Sequence, residues 1–169
     1  MLIPISEREF KEKVKIKFNN ISDGFDRYNN KTLEACNNEF FESNMLEFLK
    51  EAVDLNGIDN SYVDFYYNTL SEDDKNKLKE MLDYEDKEFI RIFEKRNKEC
   101  GIYFKLSKEA IPFINRINSR EILFSTIYFT KASFTIWGNY NKKFPTFYLD
   151  NTVFDKYETI AKKYNLVLI

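Results

Sequence analysis

Ile122-Leu123-Phe124-Ser125-Thr126-Ile127-Tyr128-Phe129-Thr130 is followed, after Lys131-Ala132, by Ser133-Phe134-Thr135-Ile136-Trp137. β-Branched and aromatic residues dominate both runs, and only two residues join them. That is the pattern of an antiparallel pair. A third β-rich run, Phe144 to Leu149, is reached through Gly138-Asn139-Tyr140-Asn141-Lys142-Lys143. Upstream, Ile102 to Leu106 reads as a strand. Ser107 then opens a short helix through Ile111, Phe113, Ile114 and Ile117, with Pro112 placed to delay its start or bend it. Downstream, Thr152 and Asp155 cap a helix that turns Val153, Tyr157, Ile160, Ala161 and Tyr164 inward, and Leu166 to Ile169 closes as a strand. Residues 102–169 therefore predict the order β-α-β-β-β-α-β and a mostly antiparallel sheet of four to five strands.

Residues 1–101 read as helices. Ser6 with Glu9 forms a capping box, and Ile5 with Phe10 occupies the staple positions around it. Phe10, Val14, Phe18 and Ile21 follow at helical spacing. A rival period runs through the same residues. Lys11, Lys13, Lys15 and Lys17 alternate with Glu12, Val14, Ile16 and Phe18, as in a strand with one lysine-lined face. The helix is preferred. Asp23-Gly24 and Asn29-Asn30 mark a loop. A long helix is expected from Thr32 to Leu55, with Leu33, Cys36, Phe40, Phe41, Met45, Phe48, Leu49 and Ala52 as its apolar stripe and Asn56-Gly57 as its stop. Short helices follow from Ser61, with Asp64 in its capping box, and from Ser71, capped with Asp74. A fifth spans Tyr84 to Lys98. The fold class is α+β, a single domain over 1–169 with a helical subregion (1–101) packed on a sheet-containing one (102–169).

Composition narrows the chemistry. The chain of 169 residues has 26 basic and 28 acidic side chains, no histidine and four glycines. Without imidazole there is no Ser-His-Asp or Cys-His catalysis and no zinc site that needs histidine. Four glycines leave no phosphate-cradling glycine-rich loop. Met1 to Ile5 is too short for the apolar core of a secretory signal. The longest nearly apolar run, Ile122 to Phe129, falls far below the roughly 20 residues of a spanning helix. A cytoplasmic protein is expected. Cys36 and Cys100 read as reduced core thiols. Abundant lysine, asparagine, isoleucine, phenylalanine and tyrosine suggest an AT-rich genome, bacterial or phage.

No motif fixes a reaction. None of the nine serines has a lysine three residues later, so no Ser-x-x-Lys hydrolase is present. Asp54, Asn56, Asp59 and Asp64 faintly resemble a calcium loop, but the sixth position from Asp54 is Asp59 and the twelfth is Phe65, where glycine and glutamate are needed. Acid-x-Lys pairs of the kind used by metal-dependent nucleases occur at Glu9/Lys11, Asp73/Lys75 and Glu85/Lys87, all on expected helices rather than strands. No catalytic residue, metal ligand or cofactor is assigned.

Two surfaces carry functional expectations. Residues 1–101 hold 16 basic and 23 acidic groups, and residues 19–74 hold three and thirteen. Glu34, Glu42, Glu47, Glu51, Asp54 and Asp64, flanked by Tyr62, Tyr66 and Tyr67, would form an acidic docking face for a basic protein partner, such as a nuclease or another nucleic-acid-binding protein. The function expected first is therefore a non-enzymatic inhibitor or mask, of the immunity-protein, antitoxin or phage-inhibitor kind. It would bind neither extended nucleic acid nor membrane. The alternative is a small-ligand or nucleotide-binding domain, enzymatic or not. It would use Trp137, Asn139, Tyr140, Asn141, Lys142 and Lys143 to stack a ring and hold a phosphate.

Overall fold

The computed structural model describes all residues 1–169. One antiparallel sheet of eight strands runs through the molecule. Its strands are β1 (Ile3–Pro4), β2 (Asn29–Ala35), β3 (Ser61–Asp64), β4 (Tyr103–Lys105), β5 (Thr126–Phe129), β6 (Phe134–Trp137), β7 (Phe144–Tyr148) and β8 (Leu166–Leu168). Their spatial order is β1-β4-β3-β5-β6-β7-β2-β8. The helices are α1 (Glu7–Lys13), α2 (Ile21–Arg27), α3 (Phe41–Asn56), α4 (Glu72–Met81), α5 (Tyr84–Asn97), α6 (Ile111–Ser119) and α7 (Asn151–Lys163).

The α+β class holds, and the elements within 102–169 run β4-α6-β5-β6-β7-α7-β8. The sheet is larger than four to five strands because the first half supplies three of its own. β3 lies between β4 and β5, and β2 lies between β7 and β8. The expected division between residues 1–101 and 102–169 is thus not a boundary in the sheet.

Two expected helical stretches are strands. Thr32 to Ala35, expected to open the long helix, belongs instead to β2, which is bonded on both edges, with Leu33 opposite both Phe144 and Leu168. Leu33 is buried by those neighbours, while Cys36, assigned to the same stripe, is exposed. Cys100 is half-buried and packs against the edge of the core, and both thiols are free. The true helix starts at Phe41 and buries Phe41, Met45, Phe48, Leu49 and Ala52. It ends at Gly57, whose φ of 81° suits a residue without Cβ. Ser61 caps no helix. Its hydroxyl donates to the Gly57 carbonyl at 2.9 Å, and Ser61–Asp64 is a strand with all four residues buried.

Local signals explain most of the rest. Ser6 accepts the Glu9 amide at 3.1 Å and Ser71 accepts that of Asp74 at 3.1 Å. α6 begins only at Ile111, with Pro112 in its first turn, where a missing N–H costs nothing. Asp150, rather than Thr152, caps α7 by accepting the Val153 amide at 3.0 Å. α1 stops at Lys13 because the next residues turn extended and alternate. Val14 and Ile16 are buried, while Lys15 is exposed and Lys17 half-buried. The strand-like period at 10–18 therefore describes the second half of that stretch and the helix the first.

Alternation along the strands sorts side chains onto two faces. Val63, Phe104, Ile127, Phe129, Phe134, Ile136, Phe144 and Tyr148 enter the main core with residues of α3, α5, α6 and α7. Tyr62, Asp64, Tyr103, Thr126, Tyr128 and Trp137 take the other face. Their register shows it, since Tyr62 pairs with Tyr128, Asp64 with Tyr103 and Thr126 with Trp137. The cover on this side is the N-terminal segment. Phe10 and Val14 pack with Tyr62 and Tyr128, Phe18 and Phe25 pack on Phe147, and the Ile16 carbonyl accepts Thr135 Oγ1 at 2.9 Å.

Candidate functional site

Between that cover and the sheet lies a cavity of about 440 Å³, the size of a small-ligand site. Its floor is the sheet face, with Asp64, Tyr103, Tyr128 and Trp137. Its roof and rim come from α1, the extended connector and α2, with Phe10, Lys11, Lys15, Lys17, Phe18, Asp23, Arg27 and Tyr28. Tyr66, just past β3, completes the wall.

The rings are held against one another rather than left loose. Phe10 stacks on Tyr103 with centroids 3.8 Å apart and meets Tyr128 edge-on at 5.0 Å. Phe18 stacks on Trp137 at 5.4 Å. Tyr28 donates its hydroxyl to the Lys15 and Lys17 carbonyls at 3.3 and 3.4 Å, which fixes the connector that carries those lysines. Gly24 is needed in α2 because a Cβ there would sit 2.8 Å from the Phe18 ring and 3.0 Å from Phe147.

Asp64 is the buried anion of the floor, 2% exposed. The Thr126 amide donates to one carboxylate oxygen at 2.5 Å and the Tyr128 hydroxyl to the other at 2.9 Å. No lysine or arginine forms an ion pair with it. Burial pushes its pKa up to about 6, against the pull of those hydrogen bonds. Burial also raises Tyr128, Tyr66 and Tyr103, and the Asp64 charge adds to each shift. Tyr66 reaches about 12.

The rim is net positive, its one acid, Asp23, being engaged by the Asn20 side chain at 2.8 Å. Lys11 is paired with Glu7 at 2.5 Å. Lys15, Lys17 and Arg27 have no carboxylate partner. Lys17 folds back to donate to the Lys11 carbonyl at 2.8 Å and to the Val14 carbonyl, which caps the end of α1. Burial depresses its pKa, and the charges of Arg27 and Lys11 depress it further, so these cations crowd one another. Arg27 lies over the Tyr28 ring at 5.4 Å. Such a rim attracts anions, the aromatic walls accept a planar ring, and the floor accepts hydrogen bonds.

The residues singled out from sequence are placed elsewhere, with three exceptions. Asp64 and Tyr66 line this cavity, and so does Trp137. Tyr62 and Tyr67 are wholly buried, their hydroxyls turned to the Asp59 carbonyl and to Glu94. They offer nothing to a partner's surface, and neither does buried Asp64. The other five acids are compensated within the fold. Glu34 meets Lys143 at 3.5 Å, Glu42 meets Arg120 at 2.9 Å, Glu47 meets Lys50 at 2.7 Å, Glu51 meets Lys163 at 2.6 Å, and Asp54 pairs with Lys108. Four of these cations, Lys108, Arg120, Lys143 and Lys163, come from beyond residue 102, so the fold offsets the acidic excess of residues 19–74 at these five positions.

The hairpin residues are likewise engaged in holding the loop. Asn139 donates to the Lys143 carbonyl at 3.2 Å, the Asn141 amide to Glu121 at 2.7 Å, and Lys142 to the Asn38 carbonyl at 3.0 Å. Tyr140 packs edge-on against Phe124 at 4.7 Å. Only Trp137 turns toward the cavity. Sequence reading missed Lys15, Lys17, Arg27, Phe10, Phe18, Tyr103 and Tyr128. The alternation of lysines with Val14 and Ile16 was the signal for two of them. Comparison with known families, curated proteins and solved structures finds no match to the chain. No helix is long and apolar enough to cross a membrane.

Proposed function

We propose that the cavity binds a small organic anion with a planar ring, of the nucleotide class. The observation that carries this reading is a division of charge. Lys15, Lys17 and Arg27 share one rim without a carboxylate partner, and a buried carboxylate sits on the aromatic floor beneath them. An anion at the rim supplies the missing counter-charge. A ring in the cavity fills apolar wall and brings donors to Asp64. This keeps the ligand-binding alternative of the sequence reading and moves it from the hairpin tip to the opposite face of the sheet, with Trp137 common to both.

Trp137 is the only tryptophan of the chain, so its emission reports on this cavity alone. Titration with nucleoside monophosphates is expected to change that emission saturably. Inorganic phosphate should bind more weakly, since it engages only the rim. Lys15→Gln combined with Arg27→Gln should weaken nucleotide binding at least about tenfold, because charge-assisted contacts contribute roughly 1.5–3 kcal/mol each. Absence of any saturable response, in emission and in calorimetry, at millimolar nucleotide would overturn the reading.

A further inference from the structure

We infer that the ring taken by this cavity carries two adjacent N–H donors on one edge, the 2-amino-4-oxopyrimidine edge shared by guanine and pterins, and that Asp64 is the residue that reads it. This rests on the proposed function of the cavity and narrows its ligand.

The inference starts from the acceptor count of Asp64. An ionised carboxylate accepts at about four positions and donates at none. The Thr126 amide fills one position on one oxygen, and the Tyr128 hydroxyl fills one on the other. Each oxygen therefore keeps acceptor capacity, and the side chain lines the cavity. A buried carboxylate without a cation is costly. Two donors from a ligand, one to each oxygen, would complete its shell as an arginine would have done.

The two hydrogen bonds also fix the carboxylate plane. Both come from β5, the strand next to β3, so the group is positioned by the sheet and not by a mobile loop. The stacked Phe10 and Tyr103 rings and the Tyr128 ring line the same cavity as Asp64 and bound the space a ring can enter. A flat heterocycle must therefore meet Asp64 with its edge.

Ring edges differ in what they offer. Guanine presents N1–H beside the 2-amino group, and a pterin presents N3–H beside its 2-amino group. Both are donor-donor pairs that match two acceptors. Hypoxanthine has the N–H without the amino group. Adenine and cytosine place an amino group beside an unprotonated ring nitrogen, and uracil flanks its N–H with two carbonyls. Each of these sets an acceptor, or nothing, against a charged acceptor. Rejection follows from electrostatic repulsion and from the unmet hydrogen bond.

The test compares ligands on the unaltered protein, so it does not depend on a variant that folds. GMP, IMP, AMP, UMP and 6-carboxypterin are titrated by calorimetry, with Trp137 emission as a second readout for the nucleotides. GMP should bind at least about tenfold tighter than IMP, which differs only by the amino group. The relative affinity of GMP and 6-carboxypterin then separates the two sources of the shared edge. Asp64→Asn, whose amide pairs an acceptor with a donor, should lose the GMP preference and favour XMP, whose N–H lies beside a carbonyl. If GMP, IMP and AMP bind within threefold of one another, the assignment to Asp64 is overturned while the cavity remains a nucleotide site. If none of the five ligands binds, both readings fall.

Discussion

Tyr128 and Asp64 meet across neighbouring strands, the hydroxyl 2.9 Å from a carboxylate that no cation touches. The pairing has a consequence for stability. Burial holds Asp64 at about 6 in the fold, above the roughly 3.9 of an unfolded aspartate. Between those values the folded state keeps a proton that the unfolded chain releases. The contribution of Asp64 therefore improves as pH falls from 7 toward 4 and worsens as pH rises through 6. The span corresponds to about 3 kcal/mol. Paired carboxylates such as Glu51, Glu72 and Asp83 are held low and act in the opposite sense. The clean observable is thus the difference between wild type and Asp64→Asn in denaturant melts. It should move in favour of wild type as pH falls from 7 to 4, and a difference constant with pH would remove the buried charge from the account.

Gly24 offers a second test, through packing. Phe18 is wedged between Trp137 at 5.4 Å and Phe147 at 4.7 Å, and the Gly24 backbone closes the space behind it. Gly24→Ala gains up to about 1 kcal/mol of helix propensity but overpacks this site at a typical cost of about 1–3 kcal/mol. A net loss of about 1 kcal/mol is expected. Because Phe18 must move, the Trp137 emission should shift as well. Unchanged melting together with unchanged emission would show that α2 adjusts without disturbing the wall of the cavity.

The same residues show what could be read from sequence and what could not. Ser6/Glu9 and Ser71/Asp74 were legible because a cap is a local event, decided within four residues. The β5–β6 pair was legible because both strands are short runs of β-branched and aromatic residues with a short connection between them. β2 was not. Only Leu33 of its seven residues is buried, and its partners β7 and β8 lie more than a hundred residues away. Asp64 illustrates the limit for the site. In sequence it stands three residues after a serine, which is a capping pattern. Its role is set by Thr126, Tyr128 and Tyr103, which only the crossover order of the sheet brings beside it. Lysines at 15 and 17 left a trace, since a period of two is visible in any strand-like run. The acidic helices misled because the cations that pair with them are distant in sequence.

Asp86 and Arg116 form the most enclosed ion pair outside the cavity. Arg116 Nε lies 3.0 Å from both oxygens of Asp86 and its terminal nitrogen 2.6 Å from one of them. Asp86 is fully buried, whereas the Arg116 side chain is 19% exposed and lies 3.8 Å from Glu85. The two deletions should therefore differ. Arg116→Met leaves a buried carboxylate alone and should cost about 3–5 kcal/mol. Asp86→Asn leaves a cation with some access to water and to Glu85, and should cost less. Replacing both with apolar residues should recover much of the loss. Equal costs for the two single variants in urea melts would contradict this ordering.

Lys15 and Arg27 provide the last test, because their roles in folding and in binding separate. Neither has a carboxylate partner, and neighbouring Lys17 is already depressed in part by the Arg27 charge. Removing them breaks no ion pair and relieves repulsion among the rim cations. Lys15→Gln should leave stability within about 0.5 kcal/mol of wild type, the range of ordinary surface changes, and Arg27→Gln within about 1 kcal/mol. Loss of the Arg27 contact with Tyr28 sets a small opposing cost of about 0.5–1 kcal/mol for that variant alone. Nucleotide affinity should nonetheless fall in each, and its decline between low and high salt should become shallower, since fewer exposed charges are left to be screened. Thermal melts and titrations at two salt concentrations measure both quantities on the same samples. A large loss of stability would mean that these cations serve the fold, and the rim would then need no ligand to explain it.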